Sequence, residues 1–198
     1  MSYSDFTLKK IKQDLGIKVI EDEDLFSPVE AVKISDYLTS TLKYNLPLAM
    51  ALGTEKARSE LVIANVLLEV RKKLDNKVSF FSGINLDVDK SKSLTGFCDF
   101  IMSQSSEQFY MSSPIITVVE AKNESIGSGL GQCIAEMYAS SLFNDKEGTH
   151  LSVIYGAVTT GSTWRFLRYE NKKAYIDLPE YYIADVTKIM GILVSMMK

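Results

Sequence analysis

The segment Ile115-Ile116-Thr117-Val118-Val119-Glu120-Ala121-Lys122 constrains this chain more than any other. Its apolar run reads as buried core, yet it closes on a carboxylate and an ammonium. Upstream, Gly96-Phe97-Cys98-Asp99-Phe100-Ile101 sets a further carboxylate among aromatic and aliphatic residues. An unpaired buried charge neutralises or destabilises a fold, so such groups persist mainly where they pair, bind a metal or do chemistry. Three charges on neighbouring strands point to a site.

Strand geometry sharpens this reading, because side chains alternate faces and residues two apart point the same way. Glu120 and Lys122 then share a face with Val118 and Ile116, while Ile115, Thr117, Val119 and Ala121 face the opposite layer. On the preceding strand Asp99 shares its face with Phe97 and Ile101. A hairpin through Ser103 to Ser113 sets the two strands antiparallel, which brings Asp99 beside Glu120.

Gly96-x-x-Asp99, then Glu120-x-Lys122 closing an apolar strand, then a helix bearing Gln132, resembles the PD-(D/E)XK nuclease superfamily of restriction, recombination and repair nucleases. The resemblance covers roughly Lys56 to Tyr169 on strand-length expectations. It implies an α/β, restriction-endonuclease-like fold, a mixed central β-sheet of about five strands flanked by helices. It further implies that Asp99 and Glu120 bind magnesium, with manganese as a substitute, and that Lys122 positions or activates the attacking water. Glu60, on a helix before the core strands, matches the place of a supporting metal ligand, and Gln132 matches a glutamine common on the following helix. Val158-Thr159-Thr160-Gly161-Ser162-Thr163-Trp164-Arg165-Phe166 is similar to a strand-turn-strand after the catalytic core of some restriction-subunit nuclease domains. Two positions depart from the pattern: Cys98 stands in place of the usual proline, and Glu136 stands where some recombination-type members carry tyrosine.

With 198 residues, 46% hydrophobic and 24% charged, the chain fits one domain with a sizeable core. Within it we expect an N-terminal helical segment over 1–53, a nuclease-like core over 54–170, and a short strand and helix over 171–198. No charged segment leads into an apolar one at the start, and no apolar run approaches ~20 residues, so a cytoplasmic protein with no membrane contact is expected. Cys98 and Cys133 lie in core-like segments and read as buried thiols, while the lone His150 cannot build a histidine-rich zinc site.

The formal charge of -3 and the pI of 5.3 weigh against nucleic acid as a partner, since phosphate contacts draw on Lys and Arg. Arg71-Lys72-Lys73, Arg165 with Arg168, and Lys172-Lys173 offer a basic rim, although the first cluster also suits a helix C-terminus. Nucleic acid is nevertheless the implied partner, with DNA expected. The rival is a catalytically silent nuclease-fold domain that binds nucleic acid or regulates a partner. A structural Glu120–Lys122 ion pair leaves Asp99 unexplained and ranks last.

The periodicity predicts helices over Tyr3 to Leu15, from Ser27-Pro28-Val29-Glu30 to about Leu42, and from Thr54 onward. Glu60 falls on an arc with Ala57, Ile63, Ala64 and Leu67, facing obliquely toward the core. Val78 to Leu86, Leu94 to Ser103 and Ile115 to Lys122 read as a strand meander. Gly127-Ser128-Gly129-Leu130-Gly131 reads as a flexible entry to the helix of Gln132, with close packing as a second reason for its glycines. Leu151 to Thr159, Thr163 to Tyr169 and Ala174 to Leu178 complete the strands, and a terminal helix starts near Pro179. Its Ile183, Val186, Ile189, Met190 and Leu193 serve either to cover the sheet or to meet a second subunit in a homodimer, and the pattern leaves both open.

Overall fold

The computed structural model describes residues 2–123 and 125–198. In chain order these form α1 (Leu8–Asp14), β1 (Lys18–Glu23), α2 (Asp36–Leu52), α3 (Glu55–Arg58), a π-helical turn (Ser59–Ile63) and α4 (Ala64–Lys73). There follow β2 (Ser79–Asn85), β3 (Phe97–Ser103), β4 (Ile115–Ala121), α5 (Ile126–Lys146), β5 (Ile154–Thr159), β6 (Thr163–Glu170), β7 (Lys173–Asp177), β8 (Tyr181–Tyr182) and α6 (Val186–Met196).

The strands make one mixed sheet in the order β1-β7-β6-β5-β4-β3-β2, with β8 beside β6. β1 runs parallel to β7 and β4 parallel to β5, and the remaining pairs are antiparallel. β4 is buried along its whole length because helices cover both faces. Val118, Ile115 and Val158 pack with α1 and α5 on one side, whereas Val119, Ala121, Phe166 and Ala157 pack with α2, α4 and α6 on the other. The protein is thus mixed α/β, a central mixed sheet flanked by helices. No helix among the described residues is long and apolar enough to cross a membrane.

The meander β2-β3-β4 forms as expected, but plain alternation breaks at Asp99. Cys98 and Ile101, three residues apart, both pack in the α5 layer, as do Phe81 and Ile84 on β2. Between the paired positions Ser82–Phe100 and Ile84–Cys98 lie Gly83, at φ +62°, and Asp99. The left-handed glycine lets both strands take up the shift. Asp99 therefore does not share a face with Phe97 and Ile101: Phe97 is 67% exposed and Ile101 is fully buried.

Helix boundaries moved where tertiary contacts outbid local signals. The helix anticipated at Ser27 does not form, because Lys188 takes the backbone carbonyls of Ser27, at 2.8 Å, and Val29, while Asp24 accepts from Ser27 N–H at 3.0 Å. α2 starts instead behind Ser35, whose Oγ accepts from Leu38 N–H while its own N–H and hydroxyl donate to buried Glu69 at 2.8 and 2.9 Å. It then runs through Pro47 rather than stopping before it. The N-terminal helix splits into a single 3₁₀ turn at Tyr3–Asp5 and α1. β1 and β8, which no apolar pattern announces, join the six strands that the pattern does announce, so the sheet has eight strands rather than about five. α6 begins at Val186 rather than near Pro179, and Ile189, Met190 and Leu193 are buried against the chain's own sheet, which assigns that face to covering the sheet.

The glycines after β4 lie inside α5 rather than in a loop before it. Close packing is their reason: a Cβ at Gly131 would fall onto the Phe6 carbonyl and the Thr7 backbone at the entry to α1. Gly131→Ala should therefore force α1 away from α5 and destabilise the protein by about 2 kcal/mol, as overpacking does. Urea denaturation would read this as a lower midpoint at unchanged slope. An unchanged midpoint would mean that the α1–α5 contact yields freely.

Candidate functional site

The site is built where β4 ends against α5. Glu120 is buried on β4. Lys122 follows one residue past the strand, and its N–H donates to the Thr159 carbonyl at 2.8 Å, which continues the β4–β5 pairing. The Lys122 stem crosses α5 at Gly129, where a Cβ would stand only 3.0 Å from Cγ and 3.1 Å from Cε. Glycine at 129 is what gives the lysine passage. Its ammonium donates to Glu120 Oε1 at 2.5 Å and to Gln132 Oε1 at 3.1 Å. The Gln132 amide in turn donates to Glu136 Oε1 at 3.0 Å, one helical turn further along α5.

Asp99 arrives from β3. Its Oδ2 accepts the Ala121 N–H at 2.8 Å, which fastens it to the residue between Glu120 and Lys122. The Asp99 and Glu120 carboxyls lie within hydrogen-bonding reach, as do those of Glu120 and Glu136. Neither Glu120 Oε2 nor Glu136 Oε2 receives a hydrogen bond from an N–H or hydroxyl group among the described residues.

This crowding sets the protonation. Burial, then the Asp99 charge, pushes the Glu120 carboxyl from an ordinary 4.5 up to about 8, against the opposing pull of Lys122. Burial and Glu120 together carry Glu136 well above the usual carboxylate range. Burial also raises Asp99, partly offset by the Ala121 N–H and the Lys122 charge. For Lys122, burial works to remove the proton, but the adjoining Glu120, with Glu55 and Asp99, outweighs it and holds the ammonium charged. The Cys98 and Cys133 thiols, raised by burial, are inert neighbours.

Four of the five anticipated site residues, Asp99, Glu120, Lys122 and Gln132, meet here. Glu60 does not. Its side chain is 63% exposed and pairs with Lys56 at 3.4 Å, on the rim of a cleft of about 260 Å³ whose floor includes Asp99, Ser82 and Gly83. The expected obliquely inward direction fails because the π-helical turn Ser59–Ile63 adds a residue to the helical repeat and rotates the face. Three contributors went unanticipated. Glu136 lies behind the site, Glu55 contributes charge from the same cleft, and Arg58 donates to the Asn123 and Thr160 carbonyls. Periodicity carries no signal for any of the three as a site member.

Beyond Arg58 an open polar groove of about 580 Å³ runs past Asn123, Ser125, Thr160 and Ser162. The proposed basic rim is largely engaged within the fold. Arg71 donates to Val78 and Asn76, Arg165 pairs with Glu180 at 2.7 Å, Arg168 pairs with Glu170 at 3.3 Å, and Lys172 donates to Tyr138. Trp164 is fully buried and stacked beside Phe166, so it anchors packing rather than offering a face to a base.

Among the described residues no group of three or more His, Cys, Asp or Glu side chains is arranged to hold a metal ion. Asp99 and Glu120 nevertheless form an all-oxygen donor pair with an undonated buried oxygen, Glu120 Oε2. Such a pair fits a hard divalent cation that draws its remaining ligands from water or phosphate. Comparison with protein-family models, curated proteins and solved structures returned no match to this chain.

The raised carboxyls make a testable link to stability. A native pKa above the unfolded one stabilises most below the unfolded value, here 4.5 for Glu120, and the contribution is lost as pH rises through about 8. Without divalent cations, the melting temperature should fall between about pH 5 and pH 8, and Glu120→Gln should flatten that decline. Differential scanning calorimetry reads both. A native melting temperature that rises across this window would contradict the assignment.

Proposed function

We propose that this chain is a metal-dependent nuclease of restriction-endonuclease-like fold that hydrolyses phosphodiester bonds of nucleic acid, with DNA the expected polymer. The observation that carries this reading is the Lys122 ammonium, 2.5 Å from buried Glu120, with Asp99 bound to the peptide between them. A structural ion pair needs neither the second carboxylate nor the accessible cleft at Asp99.

Asp99 and Glu120 would hold magnesium, or manganese in its place, and Glu55 and Glu60 line the cleft that opens onto Asp99. When bound, such an ion lowers the pKa of coordinated water and offsets charge on the departing oxygen. Lys122 contributes from the chain itself. Two of its three N–H groups are committed to Glu120 and Gln132, which aims the remaining one. That donor orients the nucleophilic water or stabilises charge developing on the phosphoryl oxygens. The groove beyond Arg58 offers polar side chains along which a strand can lie.

Lys122→Met keeps much of the stem volume and deletes the ammonium. It should retain the fold and lower magnesium-dependent cleavage on the order of a hundredfold, about 3 kcal/mol of barrier. The assay offers single- and double-stranded DNA and RNA with magnesium or manganese, using native and variant proteins purified identically. Equal cleavage by both preparations would assign the activity to contamination. Magnesium-independent binding without cleavage by the native protein would favour the catalytically silent reading.

A further inference from the structure

Glu136 occupies a costly position. It is fully buried in the middle of α5, where an apolar side chain would pack without desolvating a carboxyl. Its Oε1 has one donor, the Gln132 amide at 3.0 Å, and its Oε2 has no N–H or hydroxyl donor among the described residues. Gln132 sits four residues earlier on the same helical face and is buried, with 9% of its surface exposed.

The amide of Gln132 has two chemically different ends, an oxygen that only accepts and a nitrogen that only donates. Lys122 is a pure donor, so only the amide oxygen can face it, and the 3.1 Å contact to Oε1 is of that kind. The nitrogen must then point the other way, along α5, where Glu136 Oε1 is the acceptor that receives it. A reversed amide would set N–H groups against the ammonium. Without an acceptor at position 136, the amide nitrogen would be buried without a partner, a loss that favours rotation of the side chain away from Lys122.

We infer that Glu136 is a positioning residue: by accepting from the Gln132 amide it fixes the direction of that amide, turns the Gln132 oxygen onto Lys122, and so sets where the free N–H of Lys122 points. The chain of contacts is Glu136 to Gln132 to Lys122 to Glu120, at 3.0, 3.1 and 2.5 Å. Its consequence for turnover rests on the nuclease reading above; its consequence for the Lys122 side chain does not.

The test compares Glu136→Met, which removes the acceptor, with Glu136→Gln, which keeps one, and with Gln132→Met, which removes the link itself. The first readout is the Lys122 Nζ and Cε resonances and the rate of ammonium proton exchange, assigned by their loss in Lys122→Met. The second is the kcat and KM for magnesium-dependent cleavage. Glu136→Met and Gln132→Met should shift the Lys122 resonances alike, speed exchange about tenfold and lower kcat about tenfold at unchanged KM, the size typical of losing an outer-shell partner. Glu136→Gln should restore both readouts toward native. Should Glu136→Met fail to fold, the pair Gln132→Met and Glu136→Gln still decides the matter. Native Lys122 resonances in Gln132→Met, or a Glu136→Gln protein as perturbed as Gln132→Met, would overturn the inference. Altered resonances without cleavage by the native protein would uphold the positioning and refute the nuclease reading instead.

Discussion

Two carboxyls, those of Asp99 and Glu120, act on a single ammonium, that of Lys122, at the seam between β4 and α5, and a third, that of Glu136, lies behind them and is joined to Lys122 through Gln132. Taking even one carboxylate out of water without compensation costs several kcal/mol, and like charges at close range add to that. Charge balance there requires retained protons, a divalent cation, or both in turn. The raised carboxyls are the proton-balanced condition of the seam. Glu120 Oε2 and Glu136 Oε2 are buried oxygens without an N–H or hydroxyl donor among the described residues, and the cation we propose would answer the same imbalance.

Much of the surrounding fold follows from bringing that seam together. β4 is covered on both faces, which keeps water away from Glu120; Gly129 of α5 clears Val158 and the lysine stem, Gly156 of β5 clears Met137 and Cys133 of α5, and Gly131 clears the backbone at the entry to α1. On β3 the break in alternation at Asp99, matched by Gly83 on β2, carries the carboxylate out of the packed layer and toward the Ala121 N–H. Arg58 ties the helical turn that borders the cleft to the segments following β4 and β5. Each device sits at an element end or an irregularity, where backbone is free to be set by one or two contacts.

Asp99, Glu120 and Lys122 were legible in the sequence because buried charge inside apolar strands is rare and its spacing survives folding. Gln132 was legible only through the resemblance, since a lone glutamine on a helix carries no signal. What was illegible has physical causes. The Ser27 capping pattern satisfies local rules, but Lys188, distant in sequence, claims the carbonyls a helix there would use, and Ser35 gains the cap through buried Glu69. Glu60 was assigned its direction from a regular helical repeat, and the π-helical turn beside it changes that repeat. β1 shows no apolar alternation because it is a polar edge strand, defined by its partner β7. Glu136 looked like a departure from the family pattern, and only the three-dimensional contact with Gln132 and Glu120 gives it a place.

The central claim is that the Asp99–Glu120 pair holds a divalent cation beside a charged Lys122. The most direct measurement is anomalous diffraction at the manganese edge from crystals grown with manganese and without chelating buffer. The account predicts one anomalous peak within coordination distance of both carboxylates, about 2.0–2.5 Å for a hard cation and oxygen, with the Lys122 ammonium still bound to Gln132. A peak elsewhere on the molecule, or none at saturating manganese, would contradict it.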